Sequence, residues 1–181
     1  MSVKNLKHFL VLGLSLVFLA TFLTSCGSSG GGGSTTSSST TNVSGQATLG
    51  PLSGASIVLT DLSGRVIATT TAKSDNSSLS VAGSFSFSVK NSELPNVFLL
   101  KACGGRDIDP SDNSTAGNGV TNNGCIHAIL TSDDLYARKI EINPLTEMIY
   151  QDALNIYGAN LSSVSESNLK TFLNQEAQLY L

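Results

Sequence analysis

The chain has 181 residues, with 10 Lys and Arg against 13 Asp and Glu, for a formal net charge of −3. That balance leaves no basic footprint of the kind a nucleic-acid binder needs, so a nucleic-acid partner is not expected. Two histidines and three cysteines leave little material for imidazole- or thiol-centred catalysis or for a metal cluster.

The N-terminus reads as a processing segment. Lys4 and Lys7 form a short positive region, Phe9 to Leu23 are apolar and uncharged, and the small residues Ser25 and Cys26 mark the exit. A membrane span is the alternative, because the apolar run approaches the length needed for a bilayer core of about 30 Å. Against it, the far side carries no charged or aromatic flank, and a polar tract of low complexity follows.

Leu23-Thr24-Ser25-Cys26 resembles the lipobox of bacterial lipoproteins: an aliphatic residue, a small residue, then Ala, Gly or Ser, then Cys. The likeness covers about the first 27 residues. It implies that a diacylglyceryl group is joined to the Cys26 sulfur and that the signal peptide, residues 1–25, is then removed. Only a thiolate is a soft enough nucleophile for that thioether. Each buried acyl CH₂ contributes about 0.8 kcal/mol, so one chain holds weakly and two or more hold firmly. Membrane lipid, held through acylated Cys26, is thus the first expected partner. Gly27 in place of Asp resembles the pattern of lipoproteins sent to the outer membrane, with inner membrane and cell surface left as alternatives.

From Gly27 to Asn42 every residue is Gly, Ser, Thr or Asn. Such a tract buries too little apolar surface to offset its ordering entropy and is expected to act as a flexible tether. Its mean reach is about 20–24 Å by random-coil scaling. Removal of Lys4 and Lys7 with the signal peptide leaves eight bases against thirteen acids, a mature charge near −5. Charge therefore disfavours adhesion to anionic headgroups, and Cys26 must supply the anchor.

Residues 43–142 read as strands. Phe85, Phe87 and Val89 alternate with Ser84, Ser86 and Ser88, the period of a half-buried strand. Further strands are expected over Ser44–Leu49, Ser56–Thr60, Arg65–Thr71, Asn96–Ala102, Cys125–Leu130 and Tyr136–Ile142, separated by pieces rich in turn residues. Val97-Phe98-Leu99-Leu100 is apolar on both parities, so it should be a central strand or one covered on both faces. The fold class expected is mainly β, an Ig-like or prealbumin-like β-sandwich of about seven strands.

Val43-Ser44-Gly45, Gly50-Pro51-Leu52-Ser53-Gly54-Ala55, Thr69-Thr70-Thr71 and Gly83 with Phe85 and Phe87 resemble the carboxypeptidase-regulatory-like, or transthyretin-like, β-sandwich modules. The likeness spans roughly residues 43–89 and departs at Lys73–Ala82, which is longer and richer in Ser than the usual tight turn. It implies a fold and almost nothing about activity, since such modules occur in enzymes, receptors and surface proteins alike.

With Cys26 lipidated, Cys103 and Cys125 are the remaining cysteines, at the two ends of the loop 104–124. An exported location permits a disulfide between them. The alternative, free or metal-bound thiols, wants further ligands at short spacing, and His127 is a single weak candidate. Within the loop, Asp107, Asp109, Ser111 and Asn113 alternate oxygen-bearing side chains like the start of a calcium loop. Asp112 stands where an EF-hand needs Gly and Asn118 where it needs Glu, so a solvated, turn-rich loop is the competing reading. No cofactor is expected apart from that calcium candidate.

Beyond Ile142 the period becomes helical, giving a two-helix extension over 143–181. Asn143 is the expected cap, Pro144 the first helical residue, and Leu145, Met148, Ile149, Ala153 and Ile156 the apolar stripe, ending at Gly158. A second helix is expected from Ser163, with Glu166 at capping-box spacing and Leu169, Phe172, Leu173 and Ala177 facing inward. Asn143-Pro144-Leu145-Thr146 resembles the segments that open helical extensions in large bacterial surface lipoproteins, and the chain is expected to be an incomplete member of that group.

Catalytic constellations are scarce. His8 leaves with the signal peptide, Asp133 and Asp134 are adjacent and would diverge on a strand, and Gly30–Gly33 lacks the strand and the Lys-Ser of a phosphate loop. The expected function is a lipid-anchored cell-envelope protein displaying a non-catalytic sandwich as a binding or spacer module. An accessory subunit or domain of an exported enzyme, and a calcium-dependent surface adhesion module, are the alternatives. An envelope protein or glycan is the expected further partner, and the chain is expected to be a monomer.

Overall fold

The computed structural model describes residues 39–74, 81–108, 119–137 and 139–179. Cys26, the expected signal segment and most of the expected tether lie outside the described residues. Described residues from 39 onward belong to one compact unit, mainly β with three sheets and a C-terminal helical region.

In chain order the strands are β1 (Thr40–Ala47), β2 (Leu52–Ser53), β3 (Ser56–Thr60), β4 (Val66–Thr71), β5 (Ser84–Lys90), β6 (Val97–Cys103), β7 (Arg106–Asp107), β8 (Val120–Thr121) and β9 (Cys125–Thr131). A single helical turn, α1 (Asp134–Ala137), precedes β10 (Ile140–Ile142). Then come α2 (Pro144–Tyr157), a 3₁₀ turn (Leu161–Ser163) and α3 (Glu166–Leu179). One sheet has the order β10-β1-β5, a second β4-β3-β6-β9, and a small third β2-β7-β8.

Alternation explains the core. Val43, Phe85, Val89, Ile140 and Ile142 from the three-stranded β1 sheet share one buried cluster with Ile57, Leu59, Phe98, Leu100, Ala102 and Ile126 from the four-stranded sheet. The serines between Phe85, Phe87 and Val89 point away from it, as period two requires. Gly45 lies between Ile140 and Phe85, its register partners, and an added Cβ would meet the Ile140 carbonyl oxygen and come within 2.6 Å of the Phe85 ring. A side chain there would separate the strands or expel the ring.

The other parity of β6 and β9 faces the helices. Val97 and Ile129 join Ala153, Leu161, Leu169 and Phe172 in a second cluster. This is why Val97 and Phe98 are both buried: β6 is internal to its sheet and covered on both sides.

Four expectations are corrected. The strand expected over Tyr136–Ile142 is only Ile140–Ile142, because the Asp134 carboxylate accepts hydrogen bonds from the Thr131 N–H at 2.8 Å and its hydroxyl at 2.9 Å and turns the chain into α1. Residues 40–42, expected as the end of the tether, are strand. Thr40, Thr41 and Asn42 pair with Lys90, Val89 and Ser88, since a strand partner satisfies backbone groups whatever the side chains.

The second helix expected from Ser163 begins at Glu166, capped by Ser165, whose hydroxyl accepts from Asn168 N–H at 3.3 Å, and Ser163 instead closes a 3₁₀ turn capped by Asn160. The stripe expected on α2 is rotated. Asn143 does cap, Pro144 does open the helix and Ala153 is buried, but Leu145, Met148 and Ile156 are exposed. Tyr150, Leu154 and Tyr157 pack inward with Ile149 instead, because the amphipathic tyrosines bring more area to the interface. Tyr157 meets Phe172 of α3 edge to face at a centroid separation of 5.9 Å.

Candidate functional site

The helix-side face of the four-stranded sheet carries the densest group of polar chemistry. Register pairing puts Thr69 of β4, Val58 of β3, Lys101 of β6 and His127 of β9 in one cross-strand row on that face. The adjoining row, two residues along, holds Thr71, Ser56, Cys103 and Cys125. The helices cover the far end of this face over Leu99 and Ile129, while Thr69, Thr71, Ser56 and Cys125 are exposed.

Glu147, in the first turn of α2, forms the wall of this shelf. Its Oε2 accepts from the His127 main-chain N–H at 2.6 Å and pairs with His127 Nδ1 at 2.8 Å, and its Oε1 accepts from Gln151 Nε2 at 2.7 Å. His127 also stacks on Tyr150 with ring centroids 4.3 Å apart and planes 24° from parallel. Burial raises the Tyr150 phenol above its ordinary value, and the negative charge of Glu147 pushes it further the same way. The helix N-terminus favours a carboxylate at Glu147, so α2 is fixed to β9 by a charge-assisted contact as well as by apolar packing.

Lys101 stands beside His127 without a counter-charge. Among the described lysines and arginines, only the side chains of Lys73 and Lys101 make no hydrogen bond or ion pair, and of those two only Lys101 is half-buried. The sheet register forces this position, since its neighbours Leu100 and Ala102 occupy the core face.

Cys103 and Cys125 are register partners and their sulfurs are joined, 2.07 Å apart. The bridge closes a loop whose ends are further tied by Asn122, which donates to the Gly104 carbonyl at 3.1 Å and accepts from Gly124 N–H at 2.9 Å. Of the calcium candidates, Asp107 pairs in β7 and its Oδ1 accepts from Gly50 N–H at 2.8 Å, which fastens the loop to the Gly50-Pro51 turn. Asp109, Ser111 and Asn113 lie outside the described residues. Among the described residues no three His, Cys, Asp or Glu side chains are grouped to hold a metal.

Two members of the shelf escaped the sequence reading. The signal for Lys101 was a charge interrupting an otherwise apolar strand, and its meaning required knowing which face is left open. Glu147 carried no local signal, since its pairing with His127 depends on how α2 lies across β9. Compared with known proteins, the chain matches no family model, no curated protein and no solved structure.

Proposed function

We propose that the chain is a lipid-anchored cell-envelope protein whose β-sandwich, of the carboxypeptidase-regulatory-like kind, is a non-catalytic binding or spacer module. The observation that carries the anchor is Leu23-Thr24-Ser25-Cys26, set between a basic and apolar leader and a tract of sixteen small polar residues. Supporting the sandwich, the inward side chains of the two larger sheets belong to one core cluster, the arrangement that two packed sheets require.

The non-catalytic reading rests on His127. It is the one histidine left after removal of the leader, which leaves little imidazole for acid–base chemistry. A displayed module needs a face to present, and the shelf around Lys101 is the face with exposed polar chemistry. On this reading Cys26 holds the module to the outer membrane, and the tether sets its distance from the headgroups. Cell fractionation tests it: the native chain should sediment with outer membranes, whereas Cys26→Ser should appear uncleaved or in the soluble fraction. Unchanged sedimentation of the Ser variant would contradict the anchor.

A further inference from the structure

We propose that Lys101 is the anion-reading residue of a binding shelf for a carboxylated saccharide. This deepens the binding-module reading and rests on that half of it, not on the anchor at Cys26.

Lys101 is partly buried as a residue, and its side chain has no counter-ion among the described residues. That is notable in a chain with an excess of acids, where Arg65, Lys90 and Lys170 have each found a carboxylate. The acid on the wall, Glu147, is taken up by His127 and Gln151. Lys101 is thus left with its charge available to a ligand.

The surroundings narrow the ligand class. Thr69, Ser56 and Thr71 line the open side with hydroxyls that both donate and accept, as sugar hydroxyls do. The row from Thr69 to His127 crosses three strand spacings, about 14 Å, which suits a short oligosaccharide lying across the strands. One cation reads one negative group, and the net acidity of the chain repels densely charged polymers. Nucleic acids and polyphosphates are therefore poor fits, and a short uronic-acid oligosaccharide, with one of its carboxylates on Lys101, is a good one. The salt link forms without covalent change: the carboxylate accepts from the Lys101 ammonium, and the hydroxyls bond around it.

The test is calorimetric titration of the full chain, purified in detergent, with trigalacturonate, its methyl ester and a triglutamate peptide. The expected result is binding of trigalacturonate that is lost on esterification. Lys101→Met should weaken it about tenfold or more while Lys101→Arg keeps it. The ester comparison uses the unaltered protein, so it decides even if a variant fails to fold. No binding of trigalacturonate, equal binding of the ester, or an unchanged affinity in folded Lys101→Met would overturn the site and leave Lys101 a lysine whose stem covers Val58. Equal binding of triglutamate would overturn the saccharide assignment. The mass of the same sample reports lipidation at Cys26, so a lipidated chain that does not bind retires the shelf and leaves the anchor standing.

Discussion

Glu147 holds three donors on two elements, and its removal exposes the difference between a surface charge and a structural one. Glu147→Ala leaves the His127 main-chain N–H without its acceptor and should destabilise the fold by about 1–3 kcal/mol. Chemical denaturation measures this, and Glu147→Gln should recover part of the loss by keeping one acceptor oxygen. The same variants bear on Tyr150. Because burial is the larger cause of its raised value, removing the Glu147 charge should lower the phenol only part of the way, read from phenolate absorbance on alkaline titration. A raised folded value means that this contribution to stability is present below pH 10 and is lost as the pH rises through the folded value.

Asp61 has the opposite sign. The Ser63 hydroxyl is the largest influence on its carboxyl, and with Arg65 it outweighs desolvation, bringing the group from 3.8 down to about 2. Its contribution is therefore complete above pH 3.8 and is lost as the pH falls through about 2. Stability of Asp61→Asn measured across that window should fall less steeply than that of the native chain.

At the scale of elements, strands were legible where alternation was clean and one face was plainly apolar, as in Ser84–Lys90. Tyr136–Ile142 was not, because a side-chain cap from Asp134 competes with strand pairing and leaves no trace in periodicity. The short strands at Leu52, Arg106 and Val120 were invisible for another reason: two residues carry no period, and only the loop tied by Cys103–Cys125 brings them together. On α2 the cap was readable and the buried face was not, since Tyr150 and Tyr157 are apolar or polar according to what covers them. Asn143→Ala, which removes the acceptor for Thr146 N–H, should cost about 1 kcal/mol. Gly45→Val should cost more than the about 1–3 kcal/mol of ordinary overpacking, because the obstacle includes backbone that cannot give way. Thermal unfolding of the two variants ranks them.

For the whole molecule, the disulfide and the helices hold opposite ends of the four-stranded sheet. The helices cover Val97, Leu99 and Ile129, while Cys103–Cys125 staples the open end beside the shelf. With a sequence separation of 22, the bridge should contribute about 3 kcal/mol by loop entropy, so reduction should lower the denaturation midpoint without loss of α2 and α3 helicity under native conditions.

A lipid at Cys26 would make this stapled module a tethered one, and that is the central functional claim. Intact and peptide mass spectrometry of the chain recovered from its own membranes tests it most directly. The mature N-terminus should lie at Cys26 and carry a diacylglyceryl group. A mature chain that retains residues 1–25, or one whose Cys26 is unmodified, would contradict it.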